Sequence, residues 1–272
     1  MPELPEVQTV VSTLQTQIDQ LLIKDVIVYY PKMIQNDVDD FKSQVKNQRI
    51  VGFHRRGKYI LLELTKGYLI IHLRMEGRFF IRENLKENKH VHVVFILSNN
   101  KVLHYQDTRK FGTMEFVNNK DQLDKALSHL GLEATDVAFN GEYLYEHAKT
   151  KKRSLKSFLL AQDVVAGIGN IYADEICFYA KLHPAIACHK ISKKKWHVIA
   201  LGIQEILHQA TQCGGSSIRS YTDSLGISGR FQLSLKVHMR QHQSCVECHD
   251  TIIKTVVANR GTYLCPTCQK RR

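Results

Sequence analysis

The sequence predicts an α+β chain from three observations: β-rich runs within residues 49–117, helical periodicity after Leu132, and two closing Cys-x-x-Cys knuckles that frame a short hairpin. Its 272 residues, 43% of them hydrophobic, make a globular protein long enough for two domains of roughly 100–200 residues each.

Residues 7–22 carry a helical stripe of Val7, Val10, Val11, Leu14, Ile18, Leu21 and Leu22. Residues 59–64, 68–73, 91–97 and 101–105 are short β-rich runs separated by turns at Lys66-Gly67 and Asn99-Asn100, the pattern of an antiparallel sandwich or barrel. A domain boundary falls at residues 131–140. Leu155, Phe158, Leu159 and Leu160 then begin one helix and residues 171–180 make another. Trp196, Ile199, Ile203, Ile206, Leu207 and Ala210 mark a third, stopped by Gly214-Gly215. Between the first two lies Gly167-Ile168-Gly169-Asn170, where the glycines permit a sharp turn and Asn170 is a natural N-cap. Such a helix start suits a phosphate, and a plain helix–helix turn fits it equally well.

Cys245-Val246-Glu247-Cys248 and Cys265-Pro266-Thr267-Cys268 have the spacing of a four-thiolate zinc site. Residues 251–257 read as a strand, Asn259-Arg260-Gly261 as a turn and residues 262–264 as the return strand, so one structural zinc should clamp a hairpin. Cys177, Cys188 and Cys213 lack such spacing and read as small buried hydrophobes or inert thiols.

Lys and Arg outnumber Asp and Glu by 38 to 26, a net charge of +12 that points to a polyanionic partner, nucleic acid first. The excess gathers at residues 149–156, at residues 190–195 and at Lys270-Arg271-Arg272, and each run taken singly reads as a solvated face. No signal-peptide pattern and no apolar run of ~18 residues is present, so the expected location is the cytoplasm, with no membrane partner.

The chain opens Met1-Pro2-Glu3-Leu4-Pro5-Glu6. Without Met1, Pro2 would present a secondary amine with two carboxylates in reach. Amino termini titrate near ~8, so part of the population is nucleophilic at neutral pH. Attack on a sugar carbon would give an iminium, an electron sink. The plainer reading is an ordinary start whose Glu caps a helix.

Taken together, Pro2-Glu3-Leu4-Pro5-Glu6, Gly57-Lys58-Tyr59, Met75-Glu76-Gly77, Lys89-His90, residues 107–112 (Asp-Thr-Arg-Lys-Phe-Gly), residues 167–172 and Arg260 within the cysteine hairpin resemble the bacterial formamidopyrimidine-DNA glycosylases over essentially the whole chain. The resemblance implies an N-terminal antiparallel β-sandwich with flanking helices as the catalytic domain (residues 2–131) and a linker (132–140). A helix-two-turns-helix DNA-binding domain (141–235) with a lesion-covering loop (214–231) and a zinc finger (236–272) would follow. It also implies a monomer that binds damaged double-stranded DNA, removes 8-oxoguanine and formamidopyrimidines, and then nicks the strand by β,δ-elimination.

By the same resemblance Pro2 is the nucleophile, Glu3 the acid for sugar-ring opening and Glu6 a support for the terminal segment. Lys58 acts at the phosphate and in β-elimination, and Arg260 grips phosphates and assists δ-elimination. Met75, Arg109 and Phe111 fill the space left by the extruded nucleotide, and His90, Lys151, Lys156 and Asn170 join Arg109 as DNA contacts. The chain departs from the family pattern at Gln8 (Glu is usual), Thr108 (Pro), Ala161 (Asp), His238-Met239 (Tyr-Gly) and His249 (Gly). Two rival readings are an endonuclease VIII-type enzyme for oxidised pyrimidines, which typically has Gly where this chain has Leu4 and lacks the Arg109-Lys110-Phe111 arrangement, and a non-catalytic zinc-containing DNA-binding protein, which leaves Pro2, Glu3 and Lys58 idle.

Overall fold

The computed structural model describes residues 1–83, 85, 88–216 and 229–270. Two compact units make up the chain: Met1–Ser128 with Ser216, and His129–Gly215 with the chain from Arg230 onward.

In the first unit, α1 (Leu4–Ile18) buries Val7, Val10, Val11, Leu14 and Ile18. The helix ends earlier than the stripe predicts, because Gln20 turns left-handed at φ 60. Leu22 instead opens β1 (Leu22–Val28), and α2 (Val38–Val45) follows, capped by Asp37. Seven more strands complete the sheet: β2 (Gln48–Arg56), β3 (Tyr59–Leu64), β4 (Tyr68–His72), β5 (Arg78–Arg82), β6 (Val91–Leu97), β7 (Val102–Gln106) and β8 (Thr113–Val117). Pairing is antiparallel in the order β5-β7-β6-β1-β2-β3-β4-β8.

β5 and β8 stay at the two ends of that order, so the sheet is an open sandwich and not a closed barrel. Its two four-stranded layers join where β1 meets β2 at only Leu22↔Arg49 and Ile23↔Gln48, while the rest of β1 pairs with β6. One apolar core takes Ile60, Leu62 and Ile71 from one layer, Val93, Phe95 and Leu103 from the other, and Val7 and Leu14 from α1. After β8, α3 (Lys120–Leu127) closes the unit, capped by Asn119.

The second unit contains α4 (Gly141–Ala148), α5 (Leu155–Leu160), α6 (Asn170–Tyr179) and α7 (Lys193–Gln212), followed by β9 (Ile253–Val257) and β10 (Arg260–Leu264). Asn140, Ser154 and Ser192 accept hydrogen bonds at the starts of α4, α5 and α7. Gly214 (φ 72) and Gly215 (φ 80) stop α7. Phe158 and Trp196, both fully buried, pack with ring centroids 5.1 Å apart and fasten α5 to α7. Most of the expected covering loop, residues 217–228, lies outside the described residues.

Candidate active site and zinc hairpin

Glu3 caps α1. Its side chain accepts from the Glu6 N–H while its own N–H donates to Glu6 Oε2 at 2.8 Å, the reciprocal capping box. Glu6 Oε1 also accepts from the Ser216 N–H at 2.6 Å, so this buried carboxylate ties the helix start to the third residue of the expected covering loop. The β2–β3 turn brings Lys58 alongside. Gly57 alone of its two central residues has positive φ (57), as a type II′ turn requires. Arg55 straps the turn down, donating to Gly57 O at 3.2 Å and to Gln8 Oε1 at 3.0 Å. The neutral Gln8 thus does as an acceptor what the family's usual Glu could do as an anion.

Met1 is present, so the Pro2 nitrogen is an amide in this form of the chain. The terminal amine one residue away reports on the surroundings. Burial pushes it below its ordinary value; Glu3 and Glu6 oppose that shift, Lys58 reinforces it, and Glu76 opposes it more weakly. The amine therefore sits among the carboxylates and the lysine that the sequence singled out.

Two loops on the same unit carry the residues expected to enter the base stack. Met75 is half-buried, whereas Phe111 is 52% exposed with the Arg109 guanidinium 4.9 Å from its ring centroid. Phe111 is therefore not a core residue, and its ring is open to a partner. Asp107, almost wholly buried, shapes the loop: Oδ1 accepts from the Arg109 N–H at 3.0 Å, and Oδ2 from Phe111 and Gly112 at 2.9 and 2.8 Å. Its own N–H donates to the carbonyl of half-buried His90 at 2.9 Å. Both loops press on Tyr105: a Cβ at Gly77 or Gly112 would lie 2.1 or 1.8 Å from its hydroxyl. No local pattern in the sequence marks Asp107 for this role.

Asn in place of Asp107 offers one acceptor oxygen to three N–H groups and turns an NH₂ toward one of them. The expected cost is about 1–3 kcal/mol of stability. Cleavage rates measured opposite each of the four bases should also converge, since the Arg109–Phe111 loop loses its shape.

In the second unit the four thiols meet the geometric requirement for zinc. Cys245, Cys248, Cys265 and Cys268 Sγ atoms all lie within 4.8 Å of one another, with Cys245–Cys268 at 3.9 Å and Cys248–Cys265 at 3.4 Å. A tetrahedron with Zn–S of ≈ 2.3 Å has edges of roughly 3.8 Å. Backbone N–H groups of Glu247 and Cys268 point at Cys245 and Cys265 Sγ from 3.5 and 3.4 Å, which suits thiolates. The two glycine departures fall where the chain turns left-handed, Met239 at φ 61 and His249 at φ 63. His tolerates that region better than most side chains. Met239 bears the strain and gains a bond from the Tyr263 hydroxyl to its sulfur at 3.1 Å.

The hairpin differs from expectation by two residues. Its turn is Ala258-Asn259, both left-handed (φ 53 and 56), so Arg260 opens β10 opposite Val257. Arg260 is exposed, as is Lys151. Asn170 does not cap α6: Gly169 holds that position, and the Asn170 amide donates to Gly261 O at 3.0 Å. The expectation that Lys156 contacts DNA is contradicted. Its side chain is 0% exposed, and its ammonium donates to Asp174 Oδ1 (2.7 Å), Gly261 O (3.0 Å) and Thr262 Oγ1 (2.7 Å), which uses all three N–H groups. Of the remaining cysteines, Cys177 and Cys188 are buried, and burial lifts the Cys188 thiol to about 11 and the Cys177 thiol further still. Cys213 is exposed at the end of α7, so of the two readings the buried hydrophobe does not apply to it.

A terminal amine among carboxylates on one unit, and a zinc hairpin anchored to helices on the other, are the features of DNA glycosylases that react through their amino terminus. The sequence matches the formamidopyrimidine-DNA glycosylase N-terminal domain over residues 1–114, the H2TH domain of the same enzymes over residues 130–222, and the zinc finger found in FPG and IleRS over residues 243–271. The chain belongs to the formamidopyrimidine-DNA glycosylase family. It is 41% identical over 276 residues to the formamidopyrimidine-DNA glycosylase of Oceanobacillus iheyensis, covering 100% of this chain and 99% of that one. Its fold matches Lactococcus lactis Fpg, solved with DNA containing an abasic site, at a TM-score of 0.94 and 36% identity, over 99% of this chain and 100% of that one. The same enzyme solved with DNA containing N7-benzyl-Fapy-dG matches equally, at a TM-score of 0.94 and 36% identity with the same coverage.

Proposed function

We propose that the chain is a monomeric, bifunctional glycosylase and AP lyase that removes 8-oxoguanine and formamidopyrimidines from duplex DNA in the bacterial cytoplasm. The observation that carries this reading is the placement of Pro2, buried at the start of the chain beside the reciprocal Glu3–Glu6 capping box, with Lys58 among the charges that act on the terminal amine.

Once Met1 is removed, the Pro2 nitrogen attacks C1′ of the damaged nucleotide, and the base leaves with the glycosidic electron pair and takes up the proton that the amine gives up. Glu3 delivers a proton to the ring oxygen, which opens the sugar and leaves an iminium on C1′. Loss of a C2′ proton then expels the 3′ phosphate, a step assisted by Lys58, and a second elimination, assisted by Arg260, expels the 5′ phosphate. Glu6 holds the terminal segment. Met75, Arg109 and Phe111 occupy the vacated stack, with Phe111 and Met75 as apolar wedges and Arg109 facing the orphaned base. His90, Lys151 and Asn170 contact the backbone, and one zinc fixes the shape of the hairpin.

Cleavage of 8-oxoguanine and of thymine glycol in otherwise identical duplexes tests the substrate. Faster cleavage at 8-oxoguanine is expected. Faster cleavage at thymine glycol would give the chain to the endonuclease VIII reading.

A further inference from the structure

The Lys156 ammonium and the Asp174 carboxylate are both fully buried, and a buried ion pair recovers its desolvation cost only with excellent geometry and further hydrogen bonds. Here those bonds converge on one short stretch of chain, residues 260–263. Lys156 donates to Thr262 Oγ1, and that hydroxyl donates on to the carbonyl of Arg260 at 2.9 Å. Gly261 O accepts from both Lys156 and Asn170. The Tyr263 N–H donates to Asp174 Oδ2 at 3.2 Å, and His238 Nδ1 donates to the same oxygen at 2.7 Å. The adjacent Glu175 carboxylate accepts from the N–H groups of Lys236, Val237 and His238 at 2.9, 2.9 and 2.8 Å. Consecutive acids of α6 therefore grip the two sides of the finger: Glu175 holds the segment that enters it, and Asp174 with Lys156 holds the strand that returns.

From this we infer that Asp174, Lys156 and Thr262 are positioning residues for Arg260, fixing its backbone through a relay that touches no nucleic acid. The inference rests on the role proposed above for Arg260 in the second elimination. A plain packing role would weaken every step alike. A positioning role would spare base release and iminium formation, which belong to Pro2 and Glu3, and would lower the share of strand breaks that proceed from β- to δ-elimination.

The test compares demethionylated wild-type protein with Asp174→Asn, Thr262→Val and Arg260→Gln on 8-oxoguanine DNA. It reads the zinc content, the borohydride-trapped adduct and the ratio of δ to β ends. Displacing a reacting group by about 1 Å can cost ~100-fold. Asp174→Asn is therefore expected to keep its zinc, trap within roughly twofold of wild type and lower the δ-to-β ratio by about tenfold or more; Arg260→Gln, which removes the phosphate contact itself, should lower the ratio at least as far and weaken trapping as well. Thr262→Val, nearly isosteric, should lower the ratio by a smaller factor and carries the test if Asp174→Asn loses zinc. An unchanged ratio in a zinc-loaded Asp174→Asn protein, or in Thr262→Val where the former does not fold, overturns the inference. A proportional loss of trapping and of both products overturns it as well. A normal ratio in Arg260→Gln removes the Arg260 assignment itself, a failure distinguishable because it does not depend on the Asp174 and Thr262 variants.

Discussion

Replacing Glu3 by Gln is expected to slow release of 8-oxoguanine by roughly 10²–10⁴-fold, the range for loss of a positioned general acid. Cleavage at a preformed abasic site should fall far less. The asymmetry follows from the chemistry. An intact nucleoside needs a proton on its ring oxygen as the sugar opens, whereas an abasic site already exists in part as the open aldehyde, ready to condense with an amine. Gln keeps the side-chain oxygen that accepts from the Glu6 N–H, so the capping box at the start of α1 should survive. Single-turnover rates on the two substrates, with a thermal melt to confirm folding, check this result. Equal losses on both would mean that Glu3 matters for the helix start and not for proton delivery.

Removing zinc is expected to abolish high-affinity DNA binding while leaving both hydrophobic cores folded. Structural zinc contributes on the order of 10–16 kcal/mol in isolated zinc fingers. The cluster beneath this site is small: Phe178, Val237, Ile252 and Tyr263 beside the cysteines. Without the metal it is too little to hold the hairpin, so Arg260 loses its platform. The sandwich core and the Phe158–Trp196 packing lie in other parts of the chain and need no metal. Chelator titration followed by anisotropy on abasic-analogue DNA should show affinity falling about 100-fold or more in step with zinc release, with most of the helical signal retained. Cys265→Ser should reproduce the effect.

Local pattern carried much of this account. Strands β3 and β6 lie where alternation and β-branched residues place them, and the four cysteines converge as their spacing requires. The missed elements have physical reasons. β1 is hidden because Leu21 and Leu22 continue the helical stripe, and only the left-handed Gln20 separates the two elements. The hairpin turn was displaced because Asn259-Arg260-Gly261 looks like turn chemistry, while the chain places the weaker candidate Ala258 in the left-handed region. Lys156 sits in a run of cations and reads as solvated. Its partners are 18 and 106 positions away, beyond any local pattern. One signal was available: Asp174-Glu175 falls inside an otherwise apolar helix, and buried acids imply partners. The departures at Met239 and His249 could be read against the family's glycines, yet only the backbone angles show what glycine is needed for there.

The central claim is that the Pro2 amine, once freed of Met1, is the nucleophile. Borohydride reduction during reaction with 8-oxoguanine DNA, followed by mass mapping of the adduct, tests it most directly. The account predicts a stable protein–DNA adduct on the N-terminal peptide at Pro2 in demethionylated protein, and none in protein that retains Met1. No adduct with the demethionylated form, or an adduct that maps to Lys58 or another lysine, would contradict it.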